Sequence, residues 1–190
     1  SNQTKEQDPL SQIDNMADSL TRWALWFIHM DLSPEEATTV CKALKTSGQF
    51  ESDIAALIAF HGSLHCAPSH SARCAWITAV LRHGEIAAVR WLSMASALLK
   101  TQGFEWVVPF GDHGKRWLEE MPVKTRKELC ITGEDVKKLS DRKSGPWIQH
   151  LLERLLRETA LGKLPNEREV LVSRAEEILS KERNQTGGSI

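Results

Sequence analysis

Five residues whose side chains bind metals stand close together, His61, His65, Cys66, His70 and Cys74, in the pattern His-x3-His-Cys-x3-His-x3-Cys. Side chains four apart on a helix share a face, and imidazole with thiolate suits zinc. Two features oppose that chemistry: Pro68 interrupts a continuous helix, and the paired Cys-x-x-Cys knuckle is missing. The sequence predicts instead a His-rich helix end and a turn, with Cys74 buried as a small hydrophobe and no metal bound. A second candidate is Asp112-His113, inside Gly111-Asp112-His113-Gly114. One Gly-x-x-Gly without a preceding strand is a poor phosphate loop, and no nucleophile is placed beside the pair. Asp112 is expected to cap a helix start. No residue is assigned a catalytic role.

Positive charge offers a third chemistry. The net charge is −1, but it divides unevenly. Residues 1–120 carry 10 Lys and Arg against 14 Asp and Glu, and residues 121–190 carry 14 against 11. Such asymmetry suits a polyanion, although solvated helical faces can look the same. Lys124, Arg126, Lys127, Lys137, Lys138, Arg142 and Lys143 cluster around two turns, where long side chains reach phosphates. Arg154 and Arg157 lie three apart on one predicted helix, and Lys163 and Arg168 flank the turn after it. Gly133 and Gly145 precede helix starts whose free amides can also receive a phosphate.

The elements that must position these residues are helical nearly throughout. Ile13, Met16, Ala17, Leu20, Trp23, Ala24 and Phe27 draw one apolar stripe at helical spacing. Ser33-Pro34-Glu35-Glu36 opens a second helix, with Ser33 as cap and Glu36 completing a capping box. Further apolar patterns run over 54–60, 72–81 and 86–99, punctuated by Gly48, Gly62, Pro68, Gly84 and Gly103. Residues 104–110 are read as an irregular connection rather than a strand. Past Pro122 a short helix is expected after Thr132-Gly133, ending at Leu139. Pro146 then opens an amphipathic helix bearing Trp147, Ile148, Leu151, Leu152, Leu155 and Leu156, which Gly162 stops. Asn166 is expected to cap the last helix. Most of the seven Trp residues fall on apolar stripes and are expected in the core, Trp147 included, and Asp135 reads as a cap-region carboxylate. An exposed Trp could stack on a base.

At 190 residues, with 41% hydrophobic and 26% charged residues, the chain can bury one core or two small ones. No apolar run is long enough to span a bilayer. The four dispersed cysteines imply no disulfide framework, so a reducing, cytoplasmic compartment is expected. Ser1-Asn2 without Met reads as a tag remnant, which suggests a piece of a longer protein.

Three segments in fixed order resemble the C-terminal half of bacterial CCA-adding tRNA nucleotidyltransferases and their poly(A) polymerase relatives. They are Leu129-Cys130-Ile131-Thr132-Gly133-Glu134-Asp135-Val136, Gly145-Pro146-Trp147-Ile148 and Gly162-Lys163-Leu164-Pro165-Asn166-Glu167-Arg168-Glu169. The resemblance covers roughly residues 120–180. It implies a longer enzyme with a catalytic head, a neck, and helical body and tail domains that hold the tRNA elbow. In that family Mg2+, CTP and ATP belong to the head and neck. No Gly-Gly-x-x-Arg-Asp and no Asp-x-Asp occur here, so this chain is expected to add no nucleotide and to need no cofactor of its own.

The expected fold is all-α. A multi-helical body over 1–120 is followed by a smaller helical, tRNA-binding tail over 121–183 and a disordered 184–190. The expected partners are tRNA and the head and neck of the same chain. The eleven basic residues from Lys124 to Arg168 named above are the expected contacts. The alternative is a protein–protein adaptor whose helix over 146–161 presents a groove or dimer face.

Overall fold

A computed structural model describes residues 19–66 and 71–186. Among these residues it holds nine α-helices, two 3-10 turns and no strand, so the fold is all-α. The chain divides into two compact units at Glu119/Glu120.

The first unit contains α1 (Ser19–His29), α2 (Pro34–Ala43), α3 (Gly48–His65), α4 (Ala72–His83), α5 (Glu85–Leu98) and α6 (Val108–Glu119). In α1 the apolar spacing buries Leu20, Ala24 and Phe27 and leaves Trp23 half-buried. Ile13, Met16 and Ala17 lie outside the described residues. The capping box of α2 forms as its sequence dictates. Ser33 Oγ accepts the Glu36 N–H at 3.2 Å, and Glu36 Oε2 accepts the Ser33 N–H at 2.8 Å. Such a cap contributes about 1 kcal/mol. Ser47 and Ser71 cap α3 and α4 through the side chain alone, accepting the N–H of Phe50 and Cys74.

Helix α3 is the axis of this unit, in contact with α1, α2, α4 and α5. Its Ile54, Leu57 and Phe60 are fully buried. Phe60 meets Trp76 edge-on at 5.2 Å between ring centroids, and Trp76 and Trp91 meet at 5.8 Å. Three of the seven Trp residues, Trp76, Trp91 and Trp117, are buried. Trp23, Trp26, Trp106 and Trp147 are half-buried, so the expectation of core positions fails for them. Trp23 and Trp26 flank the buried face of α1, Trp106 lies in the 3-10 turn before α6, and Trp147 lies in the first turn of α8.

Residues 104–110 also depart from expectation. Glu105–Val107 is a 3-10 turn, and α6 begins directly after it at Val108. Pro109 is tolerated because the first helical turn needs no N–H from it. Asp112 therefore lies inside α6 and caps nothing. The second glycine of Gly111-Asp112-His113-Gly114 has a packing use. A Cβ at Gly114 would lie 2.9 Å from Trp76 Cη2, so only glycine lets α6 approach α4 at that point.

The second unit contains a 3-10 turn at Arg126–Glu128, then α7 (Gly133–Lys138), α8 (Pro146–Ala160) and α9 (Arg168–Thr186). Thr132 caps α7, and its capping-box partner is Asp135. In α8, Leu151, Leu152, Leu155 and Leu156 are buried. This helix contacts α7, α9 and the 3-10 turn. Gly162, at φ 73°, stops α8. Its N–H donates to Thr159 O at 2.9 Å and that of Lys163 to Glu158 O at 2.9 Å, which is the Schellman pattern. Helix α9 buries Leu171, Ala175, Ile178 and Leu179. It runs to Thr186, beyond the expected end at Arg183.

Candidate nucleic-acid interface

The turn that follows α8 is tied to the start of the second unit by one side chain. Asn166 Oδ1 accepts the Cys130 N–H at 2.9 Å, and Asn166 Nδ2 donates to Glu128 O at 2.8 Å. Asn166 is therefore not the cap of α9, as its position in the sequence suggested. Its amide is spent on backbone 36 and 38 residues away. Two residues on, Arg168 Nη2 donates to Asp135 Oδ1 at 2.5 Å. Asp135 Oδ2 accepts from both the N–H and the Oγ1 of Thr132. The Thr132 backbone N–H, then its hydroxyl, then Arg168 hold the Asp135 carboxyl below its ordinary range.

These bonds decide which expected contacts keep an uncommitted charge. Arg168 is held by Asp135, Arg142 by Glu182 at 3.1 Å, and Arg154 by Glu158 at 3.3 Å. Lys124 is half-buried, and its backbone N–H donates to Glu128 Oε2. Arg126, Lys127, Lys137, Lys138, Lys143, Arg157 and Lys163 are all exposed. None of these seven forms an ion pair among the described residues. Lys137 and Lys138 close α7, where the helix dipole favours a cation. Lys143 also shapes its turn, since its carbonyl accepts the Trp147 Nε1–H at 2.9 Å.

The two helix starts expected to receive an anion differ. At Gly133 the Asp135 carboxylate already faces the first turn of α7, so a phosphate there would meet a like charge. At Gly145 no side chain caps α8.

His61, His65, Cys66 and Cys74 of the His/Cys group form no metal-holding cluster among the described residues. His61 points inward and takes the Trp91 Nε1–H on Nδ1 at 3.2 Å. His65 and Cys66 are exposed at the end of α3, and Cys74 sits half-buried in the first turn of α4. His70 and Pro68 lie outside the described residues. Among the described residues no three His, Cys, Asp or Glu are grouped to hold a metal. His113 is exposed and leans on Trp117. No described helix is long and apolar enough to cross a membrane.

A family model for tRNA nucleotidyltransferase domain 2 matches residues 15–175. The chain belongs to that family. It is similar to the CCA-adding enzyme of Listeria innocua, 35% identical over 57 residues, 30% of this chain and 14% of that protein. It is similar to that of Anoxybacillus flavithermus, 39% identical over 57 residues, with the same shares of each chain. The matched stretch thus spans about a seventh of these relatives. The solved Bacillus stearothermophilus CCA-adding enzyme in complex with CTP aligns with a TM-score of 0.68 at 23% identity. That alignment covers 89% of this chain and 40% of the other, and it establishes a shared fold. The resemblance to the C-terminal region of CCA-adding enzymes, drawn from three short segments, is borne out.

Proposed function

We propose that the second unit holds tRNA by its phosphate backbone, as the C-terminal part of a CCA-adding nucleotidyltransferase. The observation that carries this reading is the set of seven exposed cations without ion-pair partners among the described residues, Arg126, Lys127, Lys137, Lys138, Lys143, Arg157 and Lys163. They stand on turns and helix ends, where reach is greatest. A grip that only positions the acceptor end needs phosphate and sugar contacts, which carry no sequence information. Arg142, Arg154 and Arg168 then serve the unit's own packing first, and Lys124 is set back from the surface. Mg2+, CTP and ATP would act in a head and neck of the longer enzyme, and this chain alone adds no nucleotide.

The adaptor alternative has lost its main support. The leucines of α8 that would form a groove or dimer face are buried within the chain.

The test is a salt titration of tRNA binding. Changing Lys137, Lys138, Lys143 and Arg126 together to Ala should weaken binding and flatten the log-log salt slope by about 0.7 to 0.9 for each phosphate no longer neutralised. The helical signal should stay intact, and tRNAs of different anticodon should lose equally. Wild-type affinity and slope in that variant would refute the reading.

A further inference from the structure

The first unit carries a cavity of about 810 Å3, walled by the second half of α3, the end of α4, the turn before α2 and the segment around Phe104. That is ample for a small ligand. Its chemistry is specific in four respects.

One wall is aromatic. Phe104 and Trp106 are half-buried, with centroids 6.5 Å apart, and both touch the ring of His61, at 5.9 and 5.1 Å. The lining also offers a hydrogen-bond donor, His61. Because Trp91 donates to His61 Nδ1, the neutral ring carries its proton on Nε2. Among the described residues no protein group is bonded to that Nε2. Burial, then the neighbouring His65 and His29, hold the ring neutral, with its pKa lowered to about 4. Arg82 brings a cation to the rim; it is exposed and without an ion-pair partner among the described residues. Asp31, also in the lining, offers a carboxylate to hydroxyl groups.

We propose that this cavity takes one unpaired nucleotide. Its base lies against Trp106 and Phe104, an acceptor on the base edge takes the His61 Nε2–H, and its phosphate meets Arg82. A purely apolar ligand would leave the His61 donor unpaired, which is costly. With one cation set against Asp31 and Glu36 in the lining, a monophosphate fits better than a triphosphate. The same chemistry could come from a free mononucleotide or from a base splayed out of single-stranded RNA. Only the RNA source rests on the tRNA reading above.

The experiment is an NMR titration of the whole chain, following the Trp106 indole and His61 ring signals. The probes are AMP, CMP, ATP, adenosine, ribose 5-phosphate and a short unstructured RNA. AMP and CMP should shift both signals saturably, ATP without Mg2+ should bind more weakly than AMP, and ribose 5-phosphate should leave them still. Trp106→Leu should weaken AMP binding by roughly 5- to 100-fold, the range set by base–aromatic stacking. Arg82→Ala, at an exposed position that does not threaten folding, should weaken AMP binding and leave adenosine unchanged. Shifts from both AMP and the RNA identify a base site on RNA, and shifts from AMP alone identify a free-nucleotide site; either supports the proposal. No shift from any base-bearing probe, or equal shifts from ribose 5-phosphate, overturns it. The quadruple variant of the second unit should keep its AMP shifts, so failure of the tRNA grip and failure of this cavity are told apart.

Discussion

The two units of this chain are held together by different means. In the first, rings carry the interior: Phe60, Trp76, Trp91 and Phe110 meet one another, and every aromatic pair found among the described residues lies there. In the second, an aliphatic core without ring pairs is joined by long-range polar bonds. Asn166 reaches back to Glu128 and Cys130, Arg168 to Asp135, and Arg142 to Glu182, while Arg174 spans α9 and α8 to grip Glu158 with two bonds at 2.8 and 2.9 Å. The difference teaches how to read charge in a small domain. A basic excess is not yet a binding surface, because part of it is consumed by the fold.

The sharpest way to break the comparison is to remove a ring. Phe60→Ala should destabilise the first unit by about 3 to 5 kcal/mol, read as a drop in denaturant midpoint. A loss below about 1 kcal/mol would show that the ring cluster is not what holds this unit.

Acid should separate the units next. The His61 pKa lies well below its ordinary 6.5, at about 4, so the unfolded chain binds a proton there that the folded chain refuses. Its contribution is complete above pH 6.5 and fades as the pH falls toward 4, by on the order of 3 kcal/mol. His83, also lowered by burial, adds in the same direction. The shifted groups of the second unit include Asp135 and Glu158, lowered by the Thr132 N–H and by Arg174 respectively. Their support is present above about pH 4.5 and is lost only below it. Hydrogen exchange from pH 7 to pH 4.5 should show α3 and α5 losing protection while α8 and α9 keep theirs. Equal losses in both would dissolve the contrast.

Smaller effects sharpen it from the other side. Asn166→Ala should cost the second unit about 1 to 2 kcal/mol, since the Cys130 N–H and Glu128 carbonyl lose their partner together. Arg174→Ala should cost no more than about 1 kcal/mol, because the pair it breaks is only partly shielded from water. A loss of several kcal/mol in a thermal melt would make that pair a keystone of the contact between α8 and α9.

How much of this was legible in the sequence depended on distance along the chain. The Ser33–Glu36 box, the Pro146 start and the Gly162 stop are local signals, and the structure repeats them. Asn166 misled because an amide beside a helix start reads as a cap, whereas its partners lie 36 and 38 residues away. Asp112, expected to cap a helix start, misled for the same reason: nothing nearby in sequence announces that the Trp76 ring fills the place of a side chain at Gly114. The candidate contacts were legible by residue type but not by availability. Arg168 and Arg142 are held by carboxylates 33 and 40 residues away, whereas Arg154 takes Glu158 four residues on. The cavity of the first unit was missed, although Phe104-Glu105-Trp106 and His61 are its walls. Two aromatics beside a turn were the one available hint.

The two ties made by the turn after α8 should leave different marks on descent. Asn166 reads main chain, and the carbonyl of residue 128 and the N–H of residue 130 exist whatever side chains stand there. Those two positions can drift while the asparagine cannot. Arg168 and Asp135 read each other's side chains, so a lineage that changes one is under pressure to change the other. One turn thus carries a fixed letter and, two residues later, half of a correlated pair.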